Sequence, residues 1–128
     1  MRKYNNAVGI ASLVAVVSLW FGPLSARSAM AEADIGHGYA VARQCYVANV
    51  FASDEFERRG DQAKAALYMS QAKRAFAFAK YQGRALGLSE KAIGDDLDAT
   101  EASETKPMLS EPGYFAKMVA VCKAAGFM

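Results

Sequence analysis

Two cysteines carry the strongest chemical prediction in this 128-residue chain. Cys45 and Cys122 are the only cysteines, and each falls on the apolar face of a predicted helix. In an exported protein an even cysteine count favours a disulfide, whereas a redox pair usually occurs as C-x-x-C, which is absent here. We therefore predict a structural bond, with two buried free thiols as the alternative. The bond would close a 77-residue separation (122 − 45) and add roughly 4 to 5 kcal/mol at most.

Neither the single histidine nor the acidic cluster has the residue spacing of a metal site. His37 stands between two glycines, and no Cys or carboxylate accompanies it at ligand spacing, so we expect a solvated side chain and no metal. Asp95, Asp96 and Asp98 do not match the calcium loop D-x-D-x-D-G. Motifs for haem attachment, dinucleotides and phosphate are missing as well. The residues therefore predict neither an enzyme nor a bound cofactor.

Three cations form a candidate partner surface. Lys73, Lys80 and Arg84 fall within about 40° of one another at 100° per residue on the second predicted helix. They could bind an anionic partner, or they could face the acidic segment 95–104 within the fold, where exposed pairs contribute little.

The first 31 residues predict a secretory signal peptide. Arg2-Lys3 precedes an apolar run at 7–21, and Ala29-Met30-Ala31 supplies a cleavage site. The run has 15 residues, fewer than the ~20 that a spanning helix requires. We expect export to the periplasm or the extracellular space, with no membrane attachment after cleavage.

Removal of residues 1–31 changes the charge of the chain. Lys+Arg falls from 15 to 12 while Asp+Glu stays at 13, so the net charge becomes −1. The pI of about 8.6 thus describes the precursor and does not indicate nucleic-acid binding. The remaining 97 residues (128 − 31), that is 32–128, suffice for one domain.

Helical periodicity dominates the predicted domain. It predicts an all-α, antiparallel four-helix bundle with helices at about 39–57, 62–86, 89–101 and 111–125, clamped by the disulfide. Residues 32–38 are interpreted as a loose lead-in, and Thr100–Pro107 as a fraying helix end or mobile loop.

Short-range signals predict the helix ends. Asp61 and Ser89 are the predicted N-caps, and Pro112 falls in the first turn of the last predicted helix. The glycines predicted to end helices are Gly60, Gly87 and Gly126.

The pattern of the second predicted helix, Gln62–Leu86, indicates that this helix organises the rest of the chain. Its apolar and small residues recur with 4-3 spacing. They are Ala65, Met69, Ala72, Phe76, Ala79, Gly83 and Leu86. A second apolar line, Leu67, Phe78 and Ala85, predicts that this helix packs between neighbours.

Two function classes follow. The first is a non-enzymatic protein-interaction module of the bacterial envelope, of the inhibitor, immunity, chaperone or accessory type, with a protein partner and an oligomeric state that the residues do not specify. The alternative is a small-ligand carrier with a pocket between helices. Its aromatic and methionine residues would be Tyr39, Tyr46, Tyr68, Met69, Phe76 and Phe78.

Overall fold

Four α-helices make up the structure, a computed structural model that describes the backbone of residues 18–128 and the side chains of residues 30–128. They are α1 (Ser18–Arg58), α2 (Gln62–Ala85), α3 (Glu90–Ser110) and α4 (Tyr114–Ala124). No strand occurs among the described residues. The all-α prediction is confirmed, and the helix packing is consistent with a bundle.

The central helix is α1, not α2 as the periodicity of α2 suggested. Ala42, Cys45 and Ala48 of α1 are completely buried, and Val47 on another side of the helix is buried too. Each of the other helices contacts α1. Ser53 donates to the carbonyl of Ala65 in α2 (2.8 Å). Tyr39 donates to Asp96 of α3 (2.8 Å), and Cys45 is bonded to Cys122 of α4. A helix that touches three neighbours needs buried residues on several sides, which a single stripe does not reveal.

Only the small residues of the predicted α2 stripe form its buried face. Ala65, Ala72, Ala79 and Gly83 are buried, together with Ala75 from outside the stripe. Phe76 is 37% exposed and packs at the edge against the Tyr46 ring, with centroids 5.6 Å apart. Of the second apolar line, Leu67 and Ala85 are exposed, whereas Phe78 packs against the Phe127 ring.

Local signals correctly located most helix ends. The Asp61 side chain accepts the N–H of Lys64, and Ser89 accepts that of Ala92, so both act as the predicted N-caps. Gly60 and Gly87 have φ of 80° where α1 and α2 end. Because left-handed backbone costs glycine little, these residues stop the helices as predicted.

Residues 32–38, which were predicted as a loose lead-in, are helical and belong to α1, which begins at Ser18. Gly36 and Gly38 suggested a loose segment. A Cβ on Gly38 would lie 3.6 Å from Cε1 of Phe78 and 3.3 Å from Nε2 of Gln82. Packing against α2 at this close range offsets the helix propensity that glycine lacks.

The third helix ends at Ser110, nine residues later than predicted, so the interpretation of Thr100–Pro107 as a fraying end or loop is wrong. Thr100 and Glu104 continue the buried face that Ile93 and Leu97 begin. Their side chains are hydrogen-bonded across the fold, and the segment is therefore held as a helix despite its polar composition.

The disulfide is present between Cys45 of α1 and Cys122 of α4, with Cα atoms 5.5 Å apart. Helix α4 begins at Tyr114 instead of 111, after Gly113 with φ of 81°. Pro112 therefore lies in the preceding turn and not in the first helical turn. The predicted glycine C-cap is confirmed: Phe127 N–H donates to Cys122 O (2.8 Å), and Gly126 N–H to Lys123 O (3.1 Å).

The chain divides into two units, Met1–Ala33 and Asp34–Met128. The predicted signal peptide falls mostly outside the described residues, and its cleavage site stays a prediction. Within the described part of the chain, no helix is both long and apolar enough to cross a membrane.

Candidate functional site

Helix α2 is basic along its whole length. It contains five cationic residues and no carboxylate: Lys64, Lys73, Arg74, Lys80 and Arg84. Helix α3, in contrast, contains six carboxylates and two lysines: Glu90, Asp95, Asp96, Asp98, Glu101 and Glu104, with Lys91 and Lys106. The fold therefore carries charge of opposite sign on two neighbouring helices.

Two of the three predicted surface cations converge on one carboxylate. Lys80 Nζ lies 3.3 Å from Glu90 Oε2, and Arg84 Nε donates to Glu90 Oε1 (2.8 Å). The hydrogen bonds from Arg84 and then Lys80 hold the pKa of Glu90 below its ordinary value. Lys73 is exposed and belongs to none of the ion pairs among the described residues.

The acidic partner differs from the predicted one. We considered pairing with the segment 95–104, whereas the paired residue is Glu90 in the first turn of α3. Asp95 instead pairs with Lys91 of its own helix (2.6 Å). The antiparallel turn between α2 and α3 brings the end of one helix to the start of the next, which explains why Glu90 is the acid within reach.

Large apolar side chains are exposed on the outer side of α2. Leu67 and Tyr81 are 55% and 69% exposed, and Phe78 is 38% exposed. Solvated aromatic rings beside cations are typical of interface cores and their rims.

A polar seam joins α1 to α3, and the sequence did not predict it. The hydroxyl of Tyr39 donates to Asp96 Oδ2 (2.8 Å). Arg43 Nη1 donates to Thr100 Oγ1 (3.0 Å) and to the carbonyl oxygen of Asp96 (3.2 Å). Burial, with the hydrogen bond to Asp96 second, raises the pKa of Tyr39 to about 12.

The seam continues one turn further along α3. Glu104 accepts Gln44 Nε2 at 3.4 Å and the hydroxyl of Tyr114 from α4. The hydrogen bond to Glu104, more than burial, raises the pKa of Tyr114. The buried carboxylate of Glu104 is thus satisfied by neutral donors from two helices, which accounts for its position on the buried face of α3.

One sequence signal could have revealed this seam. Asp96, Thr100 and Glu104 recur every four residues beside Leu97, and Tyr39 and Arg43 have the same spacing in α1. Polar residues at i, i+4 next to a buried stripe share a face with it. The polar composition of Thr100–Pro107 instead favoured a loop, in which helical spacing would not apply.

The aromatic residues of the carrier hypothesis do not line one pocket. Tyr68 stacks on Phe56, with ring centroids 5.4 Å apart. Tyr46 contacts Phe76, Tyr39 belongs to the polar seam, and Phe78 contacts Phe127.

A different cleft is formed where α1 and α2 meet the chain after α4. We call this site the C-terminal cleft; its volume is about 520 Å³, and its lining includes His37, Val41, Arg74, Phe78, Gly126 and Phe127. His37 is thus an exposed residue of α1 at the edge of this cleft, and it does not lie on a flexible lead-in.

No group of three or more His, Cys, Asp or Glu side chains able to hold a metal ion occurs among the described residues. Comparison of the whole chain with protein-family models, with curated proteins and with solved structures found no match.

Proposed function

We propose that this protein is an exported, non-enzymatic interaction protein of the bacterial envelope, and that the basic side of α2 binds an acidic protein partner. The supporting observation is the charge division between the two helices. Five cations without a carboxylate give α2 a positive field, which steers and orients a negatively charged partner.

Within this surface the three cations have different roles. Lys80 and Arg84 are already neutralised in part by Glu90, whereas Lys73 is exposed and unengaged by carboxylates of the described chain. Lys73 is therefore the primary contact for a partner's carboxylate, and the Glu90 pair keeps the other two side chains in fixed positions.

Site-specific photo-cross-linking in the native host tests this surface. A photoreactive residue at Ala77 lies between Lys73 and Lys80 on the exposed side of α2, and one at Ala120 on exposed α4 is the control. We expect an acidic protein adduct from position 77 and none from 120. Lys73→Glu should abolish the adduct, and Lys117→Glu on α4 should leave it.

A charge swap separates binding from folding. Lys80→Glu and Arg84→Glu combined with Glu90→Lys keep both ion pairs but reverse the sign of the exposed cations. Helical circular dichroism should persist while the adduct is lost. An adduct that survives both this swap and Lys73→Glu would refute α2 as the partner surface.

Export has its own test. Mass spectrometry of protein produced with its own N-terminal segment should give the mass of residues 32–128 less two hydrogens. A full-length mass with free thiols would contradict both export and an oxidising compartment.

A further inference from the structure

The C-terminal cleft has an apolar floor that is already assembled. The rings of Phe78 and Phe127 lie with centroids 5.4 Å apart, and half-buried Val41 of α1 completes the floor. Phe78 leaves 38% of its surface exposed, so apolar area remains available to a ligand. Burial of such area is the main attraction that a small-molecule site offers.

The wall that carries Phe127 is fixed from two sides. Its N–H donates to Cys122 O (2.8 Å), and its carbonyl accepts Nδ2 of buried Asn49 (2.9 Å). Cys122 is in turn tied to α1 by the disulfide. A wall held in this way loses little conformational freedom when a ligand binds, which favours affinity.

Arg74 gives the rim of the cleft a positive charge. Arg74 donates Nη2 to Gly126 O (2.8 Å), which positions its guanidinium over the end of α4. A guanidinium has five N–H donors, and this contact uses one of them. His37 lies among the lining residues from α1, and no Asp or Glu belongs to the lining. The rim thus complements an anion, and a carboxylate can engage an Arg fork bidentately.

We propose that the C-terminal cleft binds a single-chain amphiphile that ends in a carboxylate. Its alkyl chain lies against Val41, Phe78 and Phe127, and its carboxylate pairs with Arg74. This inference does not rest on the α2 partner surface, because Lys73, Lys80 and Arg84 do not line the cleft; of the α2 cations only Arg74 does.

The test uses decanoate as the probe. The protein is expressed with its own N-terminal segment and is used in its disulfide-bonded form. Two comparison probes separate the contributions: decyltrimethylammonium has the chain with the opposite charge, and acetate has the carboxylate without the chain. Two-dimensional NMR titrations, kept below micelle-forming concentrations, report both affinity and location.

We expect saturable shifts from decanoate at Gly126 and Phe127, and nuclear Overhauser contacts between alkyl protons and the Phe78 ring. Decyltrimethylammonium should bind at least ten-fold more weakly, and acetate should not bind at the same concentration. Equal affinity for the two amphiphiles, or shifts scattered over the whole surface, would overturn the proposal.

Matched variants assign the two parts of the site. Arg74→Gln should weaken decanoate about ten-fold and remove its preference over decyltrimethylammonium, and Arg74→Lys should restore part of that preference. Lys73→Gln, the adjacent cation outside the cleft, should have no effect. Phe78→Ala should weaken both amphiphiles, and Leu67→Ala, an exposed apolar control on the same helix, should change neither.

Arg74 also contacts the end of α4, so a structural effect must be separated from a binding effect. The Arg74→Gln variant should keep the helical circular dichroism and bind decyltrimethylammonium no worse than the wild type does. Loss of both amphiphiles to the same extent would assign Arg74 a purely structural role and refute the carboxylate contact.

Discussion

Gly83 of α2 lies directly against Ile93 of α3. A Cβ built on Gly83 would lie 2.8 Å from both Cγ1 and Cδ1 of Ile93, and 3.1 Å from Cε2 of Tyr39. The glycine therefore permits three helices to meet at their closest approach, and it does so without an unusual backbone angle.

Gly83→Ala should destabilise the protein by roughly 1 to 3 kcal/mol, because the added methyl group overpacks a filled site. Gly94→Ala on α3 is the matched control. A Cβ there has nothing within 4 Å, and alanine should stabilise the helix by up to about 1 kcal/mol. Urea unfolding of the two variants measures both effects. Similar changes in the two would contradict the close packing at Gly83.

Asn49 holds the C-terminal segment. Its Nδ2 donates to Cys45 O (2.8 Å) and Phe127 O (2.9 Å) in a fully buried position. Asn49→Ala should cost roughly 1 to 3 kcal/mol through the lost hydrogen bonds. Asn49→Asp should cost more, since a carboxylate would face two carbonyl oxygens without a cation.

The control for Asn49→Asp is Gln62→Glu, an amide-to-acid change at the exposed first turn of α2, where a negative charge is favourable. Thermal unfolding should rank the variants Gln62→Glu, Asn49→Ala and Asn49→Asp in falling stability. An Asn49→Asp variant as stable as the wild type would show that the two carbonyls are not held against this side chain.

The disulfide should contribute strongly to stability. Closure of a 77-residue separation predicts a loss of up to about 4.5 kcal/mol in the Cys45→Ala/Cys122→Ala variant. Reductant should lower the melting temperature of the wild type and leave that of the double variant unchanged. A wild type whose melting temperature is insensitive to complete reduction would contradict this prediction.

The hydroxyl of Tyr39 should lose its proton at a higher pH than that of an ordinary tyrosine. Burial and the bond to Asp96 raise its pKa to about 12 in the folded protein, above the ordinary value of 10.0. As the pH rises past 10, the unfolded chain loses this proton first, so the stabilisation present below pH 10 is lost between about pH 10 and 12. A shift of one pKa unit corresponds to about 1.4 kcal/mol.

Absorbance of tyrosinate against pH measures this ionisation. Tyr39→Phe should remove one tyrosine from the late ionisation, and Tyr114, whose pKa is also raised, should contribute the late absorbance that remains. Tyr39→Phe should also flatten the loss of stability above pH 10. A titration in which Tyr39→Phe removes only an early step would contradict the seam between Tyr39 and Asp96.

The candidate site shows where sequence reasoning stops. Sequence spacing predicted the angular positions of Lys73, Lys80 and Arg84 on α2. It did not predict which carboxylate these side chains pair with. Glu90 lies six residues from Arg84 across a turn, and only the path of that turn decides whether the side chains meet. The aromatic residues of the carrier hypothesis do not meet in one pocket, because each contacts a residue from a distant segment. Local spacing does not predict such contacts.

The sequence by itself determined the helical class, the N-caps Asp61 and Ser89, the glycine stops and the cysteine pairing. The helical class, these caps and these stops depend on residues a few positions apart, and two cysteines allow one intramolecular bond. Only the tertiary structure decided that α1 is central and that α3 continues to Ser110. These outcomes depend on contacts such as that of Tyr39 with Asp96, two residues that are 57 positions apart. Such contacts satisfy polar groups that the local composition predicted to be solvated.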